Sequence, residues 1–137
     1  MNVFAVIDTN VLVSALLNWK SIPGRVLEQA LVGKIVPVLN DKIVAEYDEV
    51  LRRKKFPFQE DDIDIVIQGL TLRARFYEEA IVKEELPDKK DIVFYAVTME
   101  AGKFQHTYLV TGNIRHFPTK SFVVTPREMI EILEHMD

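Results

Sequence analysis

Four carboxylates stand at positions from which a folded chain could direct them toward one point: Asp8, Glu46, Asp88 and Asp91. Asp8 ends an apolar, strand-like run, Glu46 lies within a helix-like segment, and the other two open a later helix-like segment. Ionised carboxylates that lie close together repel one another. A divalent cation relieves this repulsion, and hard oxygen ligands suit Mg²⁺ or Mn²⁺. The four residues therefore point to metal-dependent chemistry, provided that the fold brings them together.

Each carboxylate taken alone also has a structural interpretation. Asp8 is suited to cap the helix that follows it. Glu46 lies beside an apolar stripe, from which its side chain could reach water or pair with a nearby cation. Asp88 and Asp91 are three residues apart and fit an N-cap followed by a first-turn acid. The functional interpretation depends on the set, because its members come from different elements near one sheet edge.

The composition indicates one globular domain, residues 1–137, with a hydrophobic fraction of 48%. The absence of cysteine excludes disulfides, zinc–thiolate sites and thiol nucleophiles. The net charge of −4 argues against a nucleic-acid binder that relies on charge alone, but an acidic metal site in a nuclease also lowers the total. With no membrane-spanning run and no signal-peptide pattern, we expect a cytoplasmic protein without a membrane partner.

Apolar runs and helical spacings alternate along the chain. The predicted strands are residues 3–7, 35–39, 76–82, 107–111 and 122–125. Six helices are predicted. The first starts near residue 10, the second covers 25–32, and the third follows a cap at residue 40 or 41. The fourth runs from 60 to 74 or 75, the fifth covers 88–101, and the sixth starts at residue 126. Pro23-Gly24 is predicted to break the chain ahead of the second helix. This alternation predicts an α/β fold, a three-layer α/β/α sandwich with a mostly parallel central sheet.

Polar residues follow two of these strands at their carboxyl ends, where ligands bind in parallel sheets. Thr9 and Asn10 follow the first strand and can supply an oxygen ligand or hydrogen bonds to one. Asn113 can ligate a metal through its amide oxygen or hold a water or a phosphate, although a plain turn is the alternative. The three histidines show no metal-ligand spacing. The basic residues, among them Arg115 and His116, fit either a surface that guides phosphates or an ordinary solvated surface.

Several motifs carry a resemblance that covers nearly the whole chain. They are Val-Ile-Asp-Thr-Asn at 6–10 with its continuation to 15, Pro-Val-Leu-Asn at 37–40, Glu-Tyr at 46–47 with 50–56, Pro-Asp at 87–88 with Asp91, and Leu-Val-Thr-Gly-Asn at 109–113 with His-Phe-Pro at 116–118. In this order and spacing the chain resembles PIN-domain proteins, close to the branch of toxins from toxin–antitoxin pairs. The resemblance implies a metal-dependent endoribonuclease with a PIN-like sandwich of helices around a parallel sheet.

The resemblance also implies roles for single residues. Asp8, Glu46 and Asp91 match the family's acidic triad, which is catalytic and binds Mg²⁺ or Mn²⁺. Asp88 matches an accessory metal-binding acid, and Asn113 stands where many relatives carry an aspartate, which removes a charge but keeps an oxygen ligand. The implied substrate-binding residues are Thr9, Asn10, Thr111, Asn113 and Arg115. In the implied reaction the metal activates a water that hydrolyses an RNA phosphodiester bond.

Other classes of protein fit parts of the pattern. A phosphatase of the haloacid dehalogenase type needs a second aspartate two residues after Asp8, where Asn10 stands. A receiver domain needs paired acids ahead of its first helix, whereas Asp8 is the only strand-end acid. A catalytically silent PIN domain that binds RNA or a protein stays open, because Asn113 replaces the usual acid. The expected partners are an RNA substrate, an antitoxin protein, and further copies of the chain in a homodimer or higher homo-oligomer.

Overall fold

The computed structural model describes residues 2–136, and its centre is a parallel sheet of five strands. The strands are β1 Val3–Ile7, β2 Ile35–Leu39, β3 Arg75–Phe76, β4 Thr107–Val110 and β5 Val123–Val124. The helices are α1 Thr9–Leu17, α2 Ile22–Leu31, α3 Asp41–Leu51, α4 Glu60–Arg73, α5 Ile92–Ala101 and α6 Pro126–Met136. The predicted three-layer α/β/α sandwich is confirmed, and every strand pairing within residues 2–136 is parallel.

Strand β1 lies in the middle of the sheet and is covered by helices on both faces. Ala5 and Val6 are fully buried although they point to opposite faces, which explains why the strand reads as a continuous apolar run. Helix α5 packs against β1, β2 and β4, whereas α2 contacts α1, α4 and α6. After β3 the chain returns across the sheet to β4, and crossovers between parallel strands are right-handed. Helix α5 therefore lies on the face of the sheet opposite to α1, α2, α4 and α6.

The strand order β3-β2-β1-β4-β5 creates a switch point between β1 and β4. The chain leaves β1 toward one edge of the sheet and returns to build the other edge from β4. The backbone of Asp8 bridges this point, because its N–H donates to the carbonyl oxygen of Val110 at 2.9 Å. A crevice opens at the carboxyl ends of the strands where such a reversal occurs, and ligands bind there in open α/β sheets.

Two predicted boundaries are wrong, the start of the second helix and the carboxyl end of the third strand. Helix α2 begins at Ile22, so that Pro23 lies in its first turn, where a missing N–H costs nothing. The hydroxyl of Ser21 caps this helix by accepting from the Gly24 N–H at 3.2 Å. The strand predicted at 76–82 is only the two residues of β3, because the following chain leaves the sheet and Ala80 donates to α5.

The segment predicted as one helix over 88–101 consists of two parts. A 3-10 turn at Lys89–Asp91 precedes α5, and the side chain of Asp88 caps that turn by accepting from the Lys90 N–H at 2.9 Å.

Within residues 2–136, no helix combines the length and the apolar character that crossing a bilayer requires.

Candidate active site

The two strands at the switch point each deliver one polar side chain to the same place. Asp8 follows β1 and Thr111 follows β4, and the Thr111 hydroxyl donates to Oδ2 of Asp8 at 2.8 Å. Asp8 is only 6% exposed and Thr111 is fully buried. Asp8 occupies the N-cap position of α1, but its side chain makes no capping hydrogen bond. Its carboxylate is therefore held inside the crevice, and Asp8 caps α1 by its position but not through its side chain.

The electrostatic state of Asp8 reflects this confinement. Burial raises the pKa of Asp8 from 3.8 to about 6. The hydrogen bond from Thr111 lowers this pKa, whereas the nearby carboxylates of Asp91 and Glu46 raise it. The charged form is disfavoured because it loses water and faces other anions. A positive charge placed beside Asp8 would remove both penalties.

Helix α3 brings Glu46 to the same end of the sheet. Asn40 caps the helix through a 2.9 Å hydrogen bond from the Ile43 N–H. The hydroxyl of Thr9 in α1 donates to Oε2 of Glu46, which joins the two helices across the crevice. The alternative pairing of Glu46 with Lys42 or Arg53 is not seen within residues 2–136, because Lys42 pairs with Glu79 and Arg53 pairs with Glu49.

Tyr47 belongs to the site, although it was not among the predicted site residues. The side chain is buried, and its hydroxyl donates to the carbonyl oxygen of Ile7, the residue before Asp8. Burial and the charges of Asp8 and Glu46 raise the pKa of Tyr47 well above its ordinary value. A neutral Tyr47 therefore fixes α3 to the end of β1 and sets the distance between two of the carboxylates. Its position directly after Glu46 was the only available signal.

The 3-10 turn before α5 supplies Asp91, whose side chain is 16% exposed. Burial and the charge of Asp88 raise the pKa of Asp91, with a further contribution from Glu46, whereas His116 lowers it. Asp88 itself is exposed and serves as the cap described above. The structural interpretation of Asp88 is therefore confirmed, and its ligand role stays a prediction.

His116 was predicted only as one of the basic residues that fit a phosphate-guiding or a solvated surface, and not as a neighbour of the carboxylates. It ends a 3-10 turn, Ile114–His116, and its Nδ1 lies 3.3 Å from Oδ2 of Asp91. The same turn lines a cavity of about 360 Å³ together with Asn113, Arg115 and Thr125. Contact with Asp91 across 25 positions of sequence becomes visible only after folding.

The predicted substrate-binding residues lie around this crevice, but they differ in what they do. Asn10 accepts from the Gly112 N–H at 3.3 Å and so connects the first turn of α1 to the turn after β4. Thr9 and Thr111 each hold a carboxylate, as described above. Asn113 and Arg115 are exposed, and Arg115 has no ion-pair partner within residues 2–136. Asn113 and Arg115 are thus the members of the set that are accessible to a ligand.

Comparison with protein-family models matched the chain to the PIN domain over residues 5–115. The chain belongs to the PIN-domain family. PIN domains are generally nucleases and typically use divalent metals. The matched region of this PIN domain includes Asp8, Glu46, Asp91 and Asn113, and the family inferred from the motifs is confirmed. The chain matches no curated protein and no solved structure.

The donors of this PIN domain fit a hard divalent cation chemically. Asp8, Glu46 and Asp91 all offer carboxylate oxygens, and their charges act on one another. Within residues 2–136, however, no three acidic or histidine side chains are close enough to form a metal cluster as they stand. The three carboxylates would have to approach one another to share one ion.

Thr111→Val tests the hydrogen bond that holds Asp8. Valine has the shape of threonine but cannot donate, so the ionised carboxylate loses its partner, and we expect a loss of about 1–3 kcal/mol at pH 7. Below pH 4 the loss should shrink, because Asp8 is then protonated and needs the donor less. Urea unfolding at both pH values measures the difference. An equal loss at both would show that Thr111 acts through packing alone.

Proposed function

We propose that this PIN domain is a Mg²⁺- or Mn²⁺-dependent endoribonuclease that hydrolyses RNA phosphodiester bonds. The observation that carries the proposal is Asp8, a buried carboxylate at the switch point whose pKa is raised to about 6. Uncompensated negative charge in such a place is costly for the folded chain. A cation site explains why three elements nevertheless direct Asp8, Glu46 and Asp91 to this crevice.

Asp8, Glu46 and Asp91 would hold the ion, and Asp88 and Asn113 are the candidates for outer positions. A bound Mg²⁺ or Mn²⁺ would supply Lewis-acid activation of the attacking water and stabilise charge on the phosphate. The protein's own contribution is positioning. Donors from other elements fix one oxygen of each carboxylate, through Thr111 on Asp8, Thr9 on Glu46 and His116 on Asp91.

The cavity next to the crevice, which His116 joins to Asp91, suits a phosphate backbone. Arg115 is unpaired within residues 2–136 and lies beside Asn113 in the cavity described above. A guanidinium at this position offers a bidentate contact to a phosphate. RNA as the substrate follows from the resemblance to the toxin branch, and so does a toxin role that an antitoxin protein would restrain.

A catalytically silent PIN domain that binds RNA or a protein is the second candidate. Two observations favour it: Asn113 replaces the usual acid, and the carboxylates of residues 2–136 do not form a ready-made cluster of three. A silent domain would keep the exposed Arg115 for binding but would gain little from Mn²⁺.

Incubation with a mixed pool of single-stranded and structured RNA separates the two candidates. The wild-type chain should cut the pool in Mn²⁺ or Mg²⁺ and not in EDTA. A parallel DNA pool tests the substrate class, because cutting of DNA alone would contradict the ribonuclease assignment. A folded wild-type chain that retains RNA without cutting it in any metal would establish the silent domain instead.

A further inference from the structure

Phe76 carries an exposed aromatic ring at the same edge of the sheet as the crevice. It is the last residue of β3 and pairs with Leu39, the last residue of β2. Because these strand pairings are parallel, the carboxyl end of β3 lies on the edge where Asp8 follows β1. Two strand spacings separate β3 from β1, a distance of about 10 Å. A ligand that extends from the crevice along this edge therefore reaches Phe76.

The ring of Phe76 is free to contact a ligand. It is 52% exposed. Within residues 2–136 it stacks on no other aromatic ring, whereas the neighbouring Tyr77 stacks on Phe104 with ring centroids 5.6 Å apart. Phe76 also lines a cavity of about 220 Å³, together with Asn40, Asp41, Tyr77 and Glu78. Pockets for whole small molecules begin at roughly 300 Å³, so this cavity suits one flat group of a larger ligand.

The charges at this cavity indicate which part of a nucleic acid it accepts. Asp41 and Glu78 are exposed, and neither forms an ion pair within residues 2–136. Their negative charges repel a phosphate. A carboxylate does, however, accept a hydrogen bond from the exocyclic amino group of a base, such as N4 of cytosine. The cavity therefore suits a nucleobase and not the phosphate backbone.

We propose that Phe76 stacks on an unpaired base of a single-stranded RNA that crosses the crevice, and that Asp41 and Glu78 recognise the edge of this base. This inference rests on the proposed function, because the RNA is its substrate. The cavity with Arg115 lies beyond β4 and Phe76 lies beyond β2, so that one strand passing Asp8 meets both. A base within a duplex is not free to stack on the ring. The favoured substrate is thus single-stranded, with cytosine preferred over uracil at this cavity.

Fluorescence anisotropy with a short labelled oligocytidine tests the stacking contact. All proteins carry Asp91→Asn and are measured in Mn²⁺, so that binding is observed apart from cleavage. Adding Phe76→Ala should weaken binding by about fivefold to 100-fold. Phe76→Trp should retain affinity because it keeps a flat ring, whereas Phe76→Leu keeps only the apolar volume and should lose it. Trp19→Ala is the matched control, since Trp19 is 44% exposed but follows α1 at the end away from Asp8.

Two further ligands isolate the contribution of the base. A ribose-phosphate chain without bases and a double-stranded RNA should each bind equally with and without Phe76→Ala, because neither offers an unpaired base. Oligocytidine binding that Phe76→Ala leaves unchanged, or that Trp19→Ala weakens equally, overturns the proposal but not the nuclease. Binding that depends on Phe76 in a chain whose wild type never cuts RNA overturns the nuclease but not this contact. A folded chain that binds no RNA overturns both.

Oligouridine tests the role of the two carboxylates. It should bind about fivefold more weakly than oligocytidine, because uracil carries an acceptor oxygen where cytosine carries its amino group. Asp41→Ala combined with Glu78→Ala should remove this difference. If the two oligonucleotides bind equally, or if the double variant keeps the preference, the carboxylates do not recognise the base. Thermal midpoints of all variants confirm that they are folded.

Discussion

Asp8→Asn is expected to abolish RNA cleavage and, at neutral pH, to stabilise the metal-free protein. Activity should fall by at least about 100-fold, because even residues that only support metal ligands cost 10- to 100-fold when changed. The stability gain has a separate cause. Asparagine keeps an oxygen for the Thr111 hydroxyl at the buried site but carries no charge to desolvate.

The sign of the stability change depends on pH. The pKa of Asp8 is about 6 in the folded chain and 3.8 in the unfolded chain, a difference equivalent to about 3 kcal/mol. Below pH 4 the residue is protonated in both states and costs nothing. Between pH 4 and 6 the wild type loses stability as the pH rises, and above pH 6 the full penalty is present. Asp8→Asn should therefore gain about 1–3 kcal/mol at pH 7 and nothing at pH 4.

Thermal unfolding of both proteins across this pH range measures the gain, and a metal titration adds a second readout. Mn²⁺ should raise the thermal midpoint of the wild type, because it binds the folded state, and should have little effect on Asp8→Asn. A variant that is less stable at pH 7 and equally responsive to Mn²⁺ would show that Asp8 has a structural role and does not bind metal.

Asp91→Asn and Asp88→Asn form a matched pair that separates a catalytic carboxylate from a capping one. Both substitutions remove one negative charge from the same 3-10 turn region. Asp91→Asn should lower the cleavage rate about 100-fold or more, because Asp91 lies in the crevice against His116 and its charge acts on Asp8. Asp88→Asn should cost less than about tenfold, since asparagine caps as well as aspartate does.

The pair is measured by cleavage rate at saturating Mn²⁺, with far-ultraviolet circular dichroism to confirm folding. Asp91→Asn is also expected to raise the thermal midpoint slightly at pH 7, because burial and the charge of Asp88 raise the pKa of Asp91. Equal losses of cleavage in the two variants would assign a ligand role to Asp88 as well. Full activity in Asp91→Asn would remove Asp91 from the catalytic set.

The features that depend on local pattern could be predicted from the amino-acid sequence. The strands Val3–Ile7 and Ile35–Leu39 were predicted to the residue, because strands buried on both faces must be apolar throughout. The α/β/α class and the place of Asp8 at a carboxyl strand end followed from the same alternation. The motifs identified the family, since chain order and spacing are themselves sequence properties.

Which side chains contact one another depends on the three-dimensional fold. The hydrogen bond between Asp8 and Thr111 spans 103 positions and depends on β4 lying next to β1, a strand order that no local period encodes. The contact of His116 with Asp91 has the same origin. The false strand at 76–82 shows the converse, because a local β-like pattern was overridden where the chain leaves the sheet to pack on α5. Local periodicity determines on which face of its helix or strand a residue lies. Long-range packing determines which other elements contact that face.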